Sequence, residues 1–199
     1  MENIVLATFA EESKAYQAFS QIKNAPAGDG YTISQLALLQ KQGGKLSAKE
    51  YFDSGVQTSD DTLTGGLVGA LAGILGGPVG MLLCAGMGMF IGSIVDWKDA
   101  DQGVSYLERA AAKIEDGTTA LVALAIEEEE AALDEKLQPL QASVTRFEAA
   151  VMQEEVEEAI RMQDELAAQV QKNIRQEKSA ARKARIEELK AKAKARFQS

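Results

Sequence analysis

Histidine is absent from the 199 residues, and cysteine occurs once, at Cys84. Without histidine there is no Ser-His-Asp or Cys-His nucleophile system and no His-ligated zinc, and a single cysteine allows no disulfide within the chain. Cys84 sits in an apolar run, where a thiol acts most simply as a small hydrophobic side chain. Aromatic residues make up only 6% of the chain, against 17 glycines. That balance favours backbones brought close together over large side-chain anchors. The start, Met1-Glu2-Asn3-Ile4-Val5-Leu6, has no basic stretch ahead of an apolar one. No secretory signal is expected, and the location expected is the cytoplasm or the cytoplasmic face of a membrane.

The most extended absence is of charge. Residues 62–95 carry no charged side chain in 34 positions, and ten of them are glycine. Gly65, Gly69, Gly73 and Gly77 fall at four-residue steps, and so do Gly76, Gly80, Cys84, Gly88 and Gly92. With ~3.6 residues per turn, each series makes a smooth groove along one side of a helix. A glycine inside a helix costs about 0.5–1 kcal/mol relative to alanine. Close approach of another helix offsets that loss, so both series are read as helix-packing faces. Gly76-Gly77-Pro78 marks a turn, since proline removes a donor and disfavours helix in the residue before it. The segment is therefore expected to be an antiparallel hairpin, Thr62–Leu75 and Pro78–Val95, with Ser59-Asp60-Asp61 capping its start. The arms would be roughly 21 Å and 27 Å long, short of the about 20 residues that span a bilayer core.

What is present around this block reads as an α+β domain. Ile4–Phe9 is a short apolar strand, Glu11–Ile22 a helix, and Tyr31–Leu39 and Lys45–Phe52 two further strands around a Gly43-Gly44 turn. After the block come a helix bearing Val104, Leu107, Ala111 and Ile114, a strand at Thr118–Ile126, and an acidic helix at Glu127–Leu140. Ser143–Ala149 reads as a last strand. From Ala149 the chain has neither Gly nor Pro and predicts one long helix, with Val156, Ile160, Gln163, Ala167, Val170 and Ile174 on one face. The expected fold is a ferredoxin-like sandwich, split as residues 1–61 and 97–148, interrupted by the glycine-zipper hairpin at 62–96 and followed by a long charged helix at 149–199. Both halves are expected to build one sheet, so a single membrane crossing by the block is excluded; a hairpin returns the chain to its own side.

Charge is unevenly divided. Residues 172–199 hold ten Lys and Arg (Lys172, Arg175, Lys178, Arg182, Lys183, Arg185, Lys190, Lys192, Lys194 and Arg196) against three acids, for +7. The other 171 residues hold 11 basic and 27 acidic side chains, for −16. Such a tail reads first as a solvated helix whose basic end complements its own C-terminal dipole, or as one that pairs antiparallel with the acidic stretch 148–165 of a neighbour. Anionic lipid and nucleic acid phosphates are the other partners it suits. Nucleic acid is the weaker fit, because aromatics are not interleaved and the body is acidic.

Asp53, Asp60, Asp61, Asp96, Asp99 and Asp101 flank the block and are read as caps and solvated loop charges rather than a cation site. Positive-inside flanks are missing, and Trp97 is the one candidate interfacial anchor. Glu127–Glu130 is read as favourable charge at a helix start. No phosphate-binding glycine motif occurs, and no carboxylate pair stands out for acid–base work. No catalytic residue, metal or cofactor is therefore expected. The readings left are a self-assembling protein whose hairpin enters or touches a membrane, a soluble homo-oligomer whose hairpins bury one another, and an enzyme of unspecified chemistry as the remotest.

The run Thr64-Gly-Gly-Leu-Val-Gly-Ala-Leu-Ala-Gly-Ile-Leu-Gly-Gly-Pro-Val-Gly80, set between two α/β halves with an acidic flank, resembles a bacterial family of uncharacterised predicted membrane proteins. That family carries a glycine-zipper insertion in a ferredoxin-like domain and is similar to small general-stress proteins. The resemblance covers about residues 2–165. It implies a bacterial origin and an association with stress, and it transfers no catalytic residues.

Overall fold

A computed structural model of the chain describes residues 1–56, 66–80 and 105–197. Six strands form one antiparallel sheet: β1 (Glu2–Phe9), β2 (Ala27–Gly28), β3 (Tyr31–Gln42), β4 (Lys45–Asp53), β5 (Thr119–Glu127) and β6 (Ser143–Glu148). The spatial order is β2-β3-β5-β1-β6, with β4 paired to β3. The helices are α1 (Glu12–Asn24), α2 (Gly66–Gly76), α3 (Tyr106–Lys113), α4 (Glu130–Leu137) and α5 (Ala149–Phe197), with a 3-10 turn at Gln138–Leu140. Residues Met1–Ile160 make one compact unit, and Arg161–Ser199, carrying the distal part of α5, make a second.

β3 precedes the glycine block and β5 follows it, and the two pair directly, Tyr31 opposite Glu127 through Gln40 opposite Thr119. Chain on both sides of the block thus builds one sheet, as the apolar runs imply. Strands β1, β3 and β5 bury most of their residues, in consecutive runs. Continuous rather than alternating apolar runs follow from a sheet covered on both faces.

One face packs Val5, Ala7, Phe9, Leu121, Ala123 and Ala125 against Ala15, Phe19 and Ile22 of α1 and Leu133 and Leu137 of α4. Outside that cluster lie Ile4, Leu6, Val122 and Leu124 of the sheet, and the buried side chains of α2, α3 and the start of α5. A register shift between Ile33 and Gln35 sets which residues of β3 face where. Ile33, Leu36 and Leu38 all lie in the first cluster, so the bulge turns Gln35 to the opposite face.

Several boundaries differ from those expected. The described part of α2 begins at Gly66, which has φ +71°, a conformation that favours glycine; the expected start at Thr62 lies outside the described residues. With 11 residues, α2 is about 16 Å long. Glu127 is not a helix-start acid: it is the last residue of β5, buried, and α4 begins at Glu130. Asp53 caps its own turn, accepting from the Gly55 amide at 2.7 Å. Ser59, Asp60, Asp61, Asp96, Asp99, Asp101 and Trp97 lie outside the described residues, as do Gly65, Cys84, Gly88, Gly92 and the expected second arm beyond Gly80.

Candidate assembly surfaces

α2 enters at Gly66, where a Cβ would collide with the side-chain amide of Gln35. Gln35, buried in β3, accepts from the Val68 amide through Oε1 at 3.0 Å. The sheet thereby supplies the N-terminal cap that a helix of Gly, Leu, Val, Ala and Ile lacks. Leu67, Val68, Leu71, Ile74 and Leu75 are buried, the spacing of one helical face, and α2 packs against β3, β4 and β5.

The glycines divide by side. Gly76 lies against β4, where a Cβ would stand 3.0 Å from the Leu46 carbonyl oxygen. The chain bends at Gly77, whose amide donates to the Ile74 carbonyl at 3.1 Å, and turns helical again at 78–80. Gly80 rests on the end of α2, where a Cβ would collide with the Leu75 carbonyl and stand 2.6 Å from that of Ile74. The helix is broken at Gly77, next to Pro78, and the expected return arm lies beyond the described residues. Gly76 and Gly80 thus both accommodate backbone of their own chain, of β4 and of the end of α2. Gly69 and Gly73 differ. A Cβ on Gly69 would only graze the Tyr51 ring at 3.8 Å, and one on Gly73 meets nothing within 4 Å among the described residues. Gly73 is exposed, and Ala70 and Ala72 beside it are half-buried. α2 therefore has a bulky side spent on its own sheet and a small-residue side that the described residues leave open.

α3 is held at both ends by buried polar groups from elsewhere. Glu155 of α5, 1% exposed, accepts from the Tyr106 and Leu107 amides, each at 2.7 Å. Ser105 adds a local cap by accepting from the Glu108 amide. Burial raises the Glu155 carboxyl above its ordinary value, although the Leu107 and Tyr106 amides, Ser105 and the Arg109 charge pull it down. At the far end, Lys41 of β3 donates to the Ile114 carbonyl at 2.8 Å, a cation at a helix C-terminus.

At the end of the sheet, Glu127 accepts from Arg146 in a two-pronged ion pair, at 2.9 Å from Nη2, and from Asn3 Nδ2 at 2.9 Å. Arg146 also donates to Asp134 at 2.8 Å and to the Glu130 carbonyl at 3.0 Å, tying α4 to β6. Burial alone would lower the Arg146 pKa, but its hydrogen bonds and charge contacts with Glu127 and Asp134 outweigh that and raise it. Sequence reasoning missed this pair; the one available signal was a lone Arg in a short strand after an acidic run. The buried groups Asn3, Gln35, Lys41, Glu127 and Glu155 are all committed to bonds inside the fold.

The first half of α5 buries Met152, Val156 and Ala159. Beyond it, residues 164–179 are exposed, including Lys172, Arg175 and Lys178; Arg182 is exposed as well. Lys183, Arg185, Lys190, Lys192, Lys194 and Arg196 lie on the same continuous helix. Among the described residues no helix is long and apolar enough to cross a membrane, and no group of three metal-ligating side chains comes together. Comparisons with protein-family models, curated proteins and solved structures find no match.

Proposed function

We propose that the protein is a non-enzymatic, self-assembling structural or stress-related protein, in which the open glycine side of α2 is a contact face for other copies. The observation that carries this is the division of α2: Leu67, Leu71 and Ile74 are buried in the fold, while Gly69 and Gly73 accept a Cβ without collision. A glycine costs about 0.5–1 kcal/mol in a helix, and nothing within the described fold repays it at Gly73. In the same proposal, β1, β3, β5 and β6 with α1 and α4 are a ferredoxin-like unit, and β4 with the glycine block interrupts it. The antiparallel order β3-β5-β1-β6 supports that reading.

A second reading, attachment to the cytoplasmic face of a bacterial membrane, is favoured by the charge-free stretch 62–95. Gentle lysis followed by native mass measurement separates the two. Recovery as a defined multimer without detergent supports homotypic assembly; recovery only from detergent extracts supports attachment. Gly69→Leu with Gly73→Leu is expected to dissociate the multimer while leaving the melting of the monomer intact. Gly80→Ala, by contrast, is expected to destabilise the fold itself. A multimer unchanged in mass by the double leucine variant removes the contact face.

A further inference from the structure

The distal part of α5 carries a second, separate surface. Leu166, Val170 and Ile174 are 39%, 55% and 45% exposed. Four-residue spacing places them within about 40° on either side of Val170. The six residues Leu166-Ala167-Ala168-Gln169-Val170-Gln171 carry no charge, and they divide the helix electrically. Residues 149–165 hold one basic side chain and six acidic ones, of which Glu155 is buried against α3; residues 172–197 hold ten basic and three acidic.

We infer that α5 recognises α5 of a second copy of this chain, the two helices running antiparallel and crossing near Val170. Opposite net charge of the two halves decides the occupant and the direction. Parallel pairing stacks ten cations on ten cations; antiparallel pairing sets each basic half beside an acidic one. In that arrangement Leu166 lies level with Ile174 of the second copy and Val170 with its own counterpart, so the apolar stripe closes on itself. Asp164, on the flank of the stripe, comes within reach of Arg175 and Lys178 of the second copy, the flanking charge pattern by which coiled-coil helices choose partner and orientation. The stripe is short and the flanks are solvated, so the pairing is dynamic and salt-sensitive. The surface is independent of the glycine face of α2, and either can fail alone.

The test uses the full chain with its native thiol removed by Cys84→Ser and single cysteines introduced at exposed positions. Under mild oxidation Val170→Cys is expected to cross-link to its own copy. Leu166→Cys and Ile174→Cys, each about 12 Å from its own counterpart along an antiparallel pair, are expected to stay uncrosslinked alone and to cross-link when mixed. Sedimentation of full-length protein adds a charge arm. Asp164→Lys or Lys178→Glu is expected to weaken association at least tenfold at low salt, and the two together in one chain to restore it. Cross-linking of Leu166→Cys and Ile174→Cys each to itself would overturn the direction of pairing. Absence of cross-linking at all three positions would overturn the surface, even if multimers form through α2.

Discussion

Glu127 and Arg146 show how one buried charge shapes its neighbourhood. Glu127 has a 1% exposed side chain and would be strongly disfavoured there alone; Arg146 supplies the counter-charge and also binds α4 through Asp134. A buried pair of this kind adds little net stability, yet removing one partner leaves the other uncompensated. Arg146→Met is therefore expected to cost about 3–5 kcal/mol in urea unfolding. Glu127→Gln combined with Arg146→Met is expected to recover much of that loss. If the single variant loses less than about 1 kcal/mol, Glu127 is hydrated enough to stand alone. Nothing in the run Glu127-Glu-Glu-Glu130 distinguishes its first member; only the end of β5 does, by turning that one side chain inward while Glu128 and Glu129 stay exposed.

At the scale of elements, the long helix was legible from its lack of Gly and Pro; of the apolar face read from its spacing, Val156 is buried, whereas Ala167, Val170 and Ile174 are exposed. Glu155 was not legible, because an acid among five others in the same stretch signals only solvated charge. Its position facing the N-terminus of α3 makes it a cap across elements. The folded state raises its carboxyl above the ordinary 4.5, burial being the largest cause. Folded protein thus holds that proton more tightly than unfolded chain does. The contribution of this group is fully present below pH 4.5 and is lost as pH rises through the raised value. The stability of the parent chain relative to Glu155→Gln is accordingly expected to grow as pH is lowered from 7 toward 4.5. Urea titrations of both proteins across that range check it, and a constant difference would mean the carboxyl is not perturbed. In α2, by comparison, a helix and its break beside Pro78 were legible from the sequence, whereas the buried face of Leu67, Leu71 and Ile74 was not. Nor was the contact of Gly66 with Gln35, since it depends on where Gln35 arrives from β3.

For the whole molecule, α5 belongs to two units at once, its first turns to the domain and its remainder to a separate unit. A chain ending after Ile160 is expected to keep the melting temperature of the full protein, because Met152, Glu155, Val156 and Ala159 all remain. A chain ending at Glu148 removes those buried side chains and leaves the Tyr106 and Leu107 amides without Glu155. Losing a large buried apolar side chain costs about 2–5 kcal/mol, and whole domains hold only about 5–15 kcal/mol in reserve, so this shorter chain is expected not to fold. Thermal melts followed by circular dichroism compare the two; folding of the shorter chain would show that α5 merely rests on the sheet.

By itself the sequence determined the order of the main described elements, the joining of both halves in one sheet, the helix break at Gly77 and the long helix of divided charge. Each depends on local periodicity or on the chemistry of Gly and Pro, which act over a few residues. Tertiary structure alone decided which glycines are occupied by their own chain, which acid is buried, and which polar side chains cap helices far away in sequence. Those outcomes turn on a one-residue bulge in β3 and on the meeting of α5 with α3, contacts between segments that share no local pattern. Glycine spacing marks a face as smooth, but only packing determines whether backbone of the same chain already fills it.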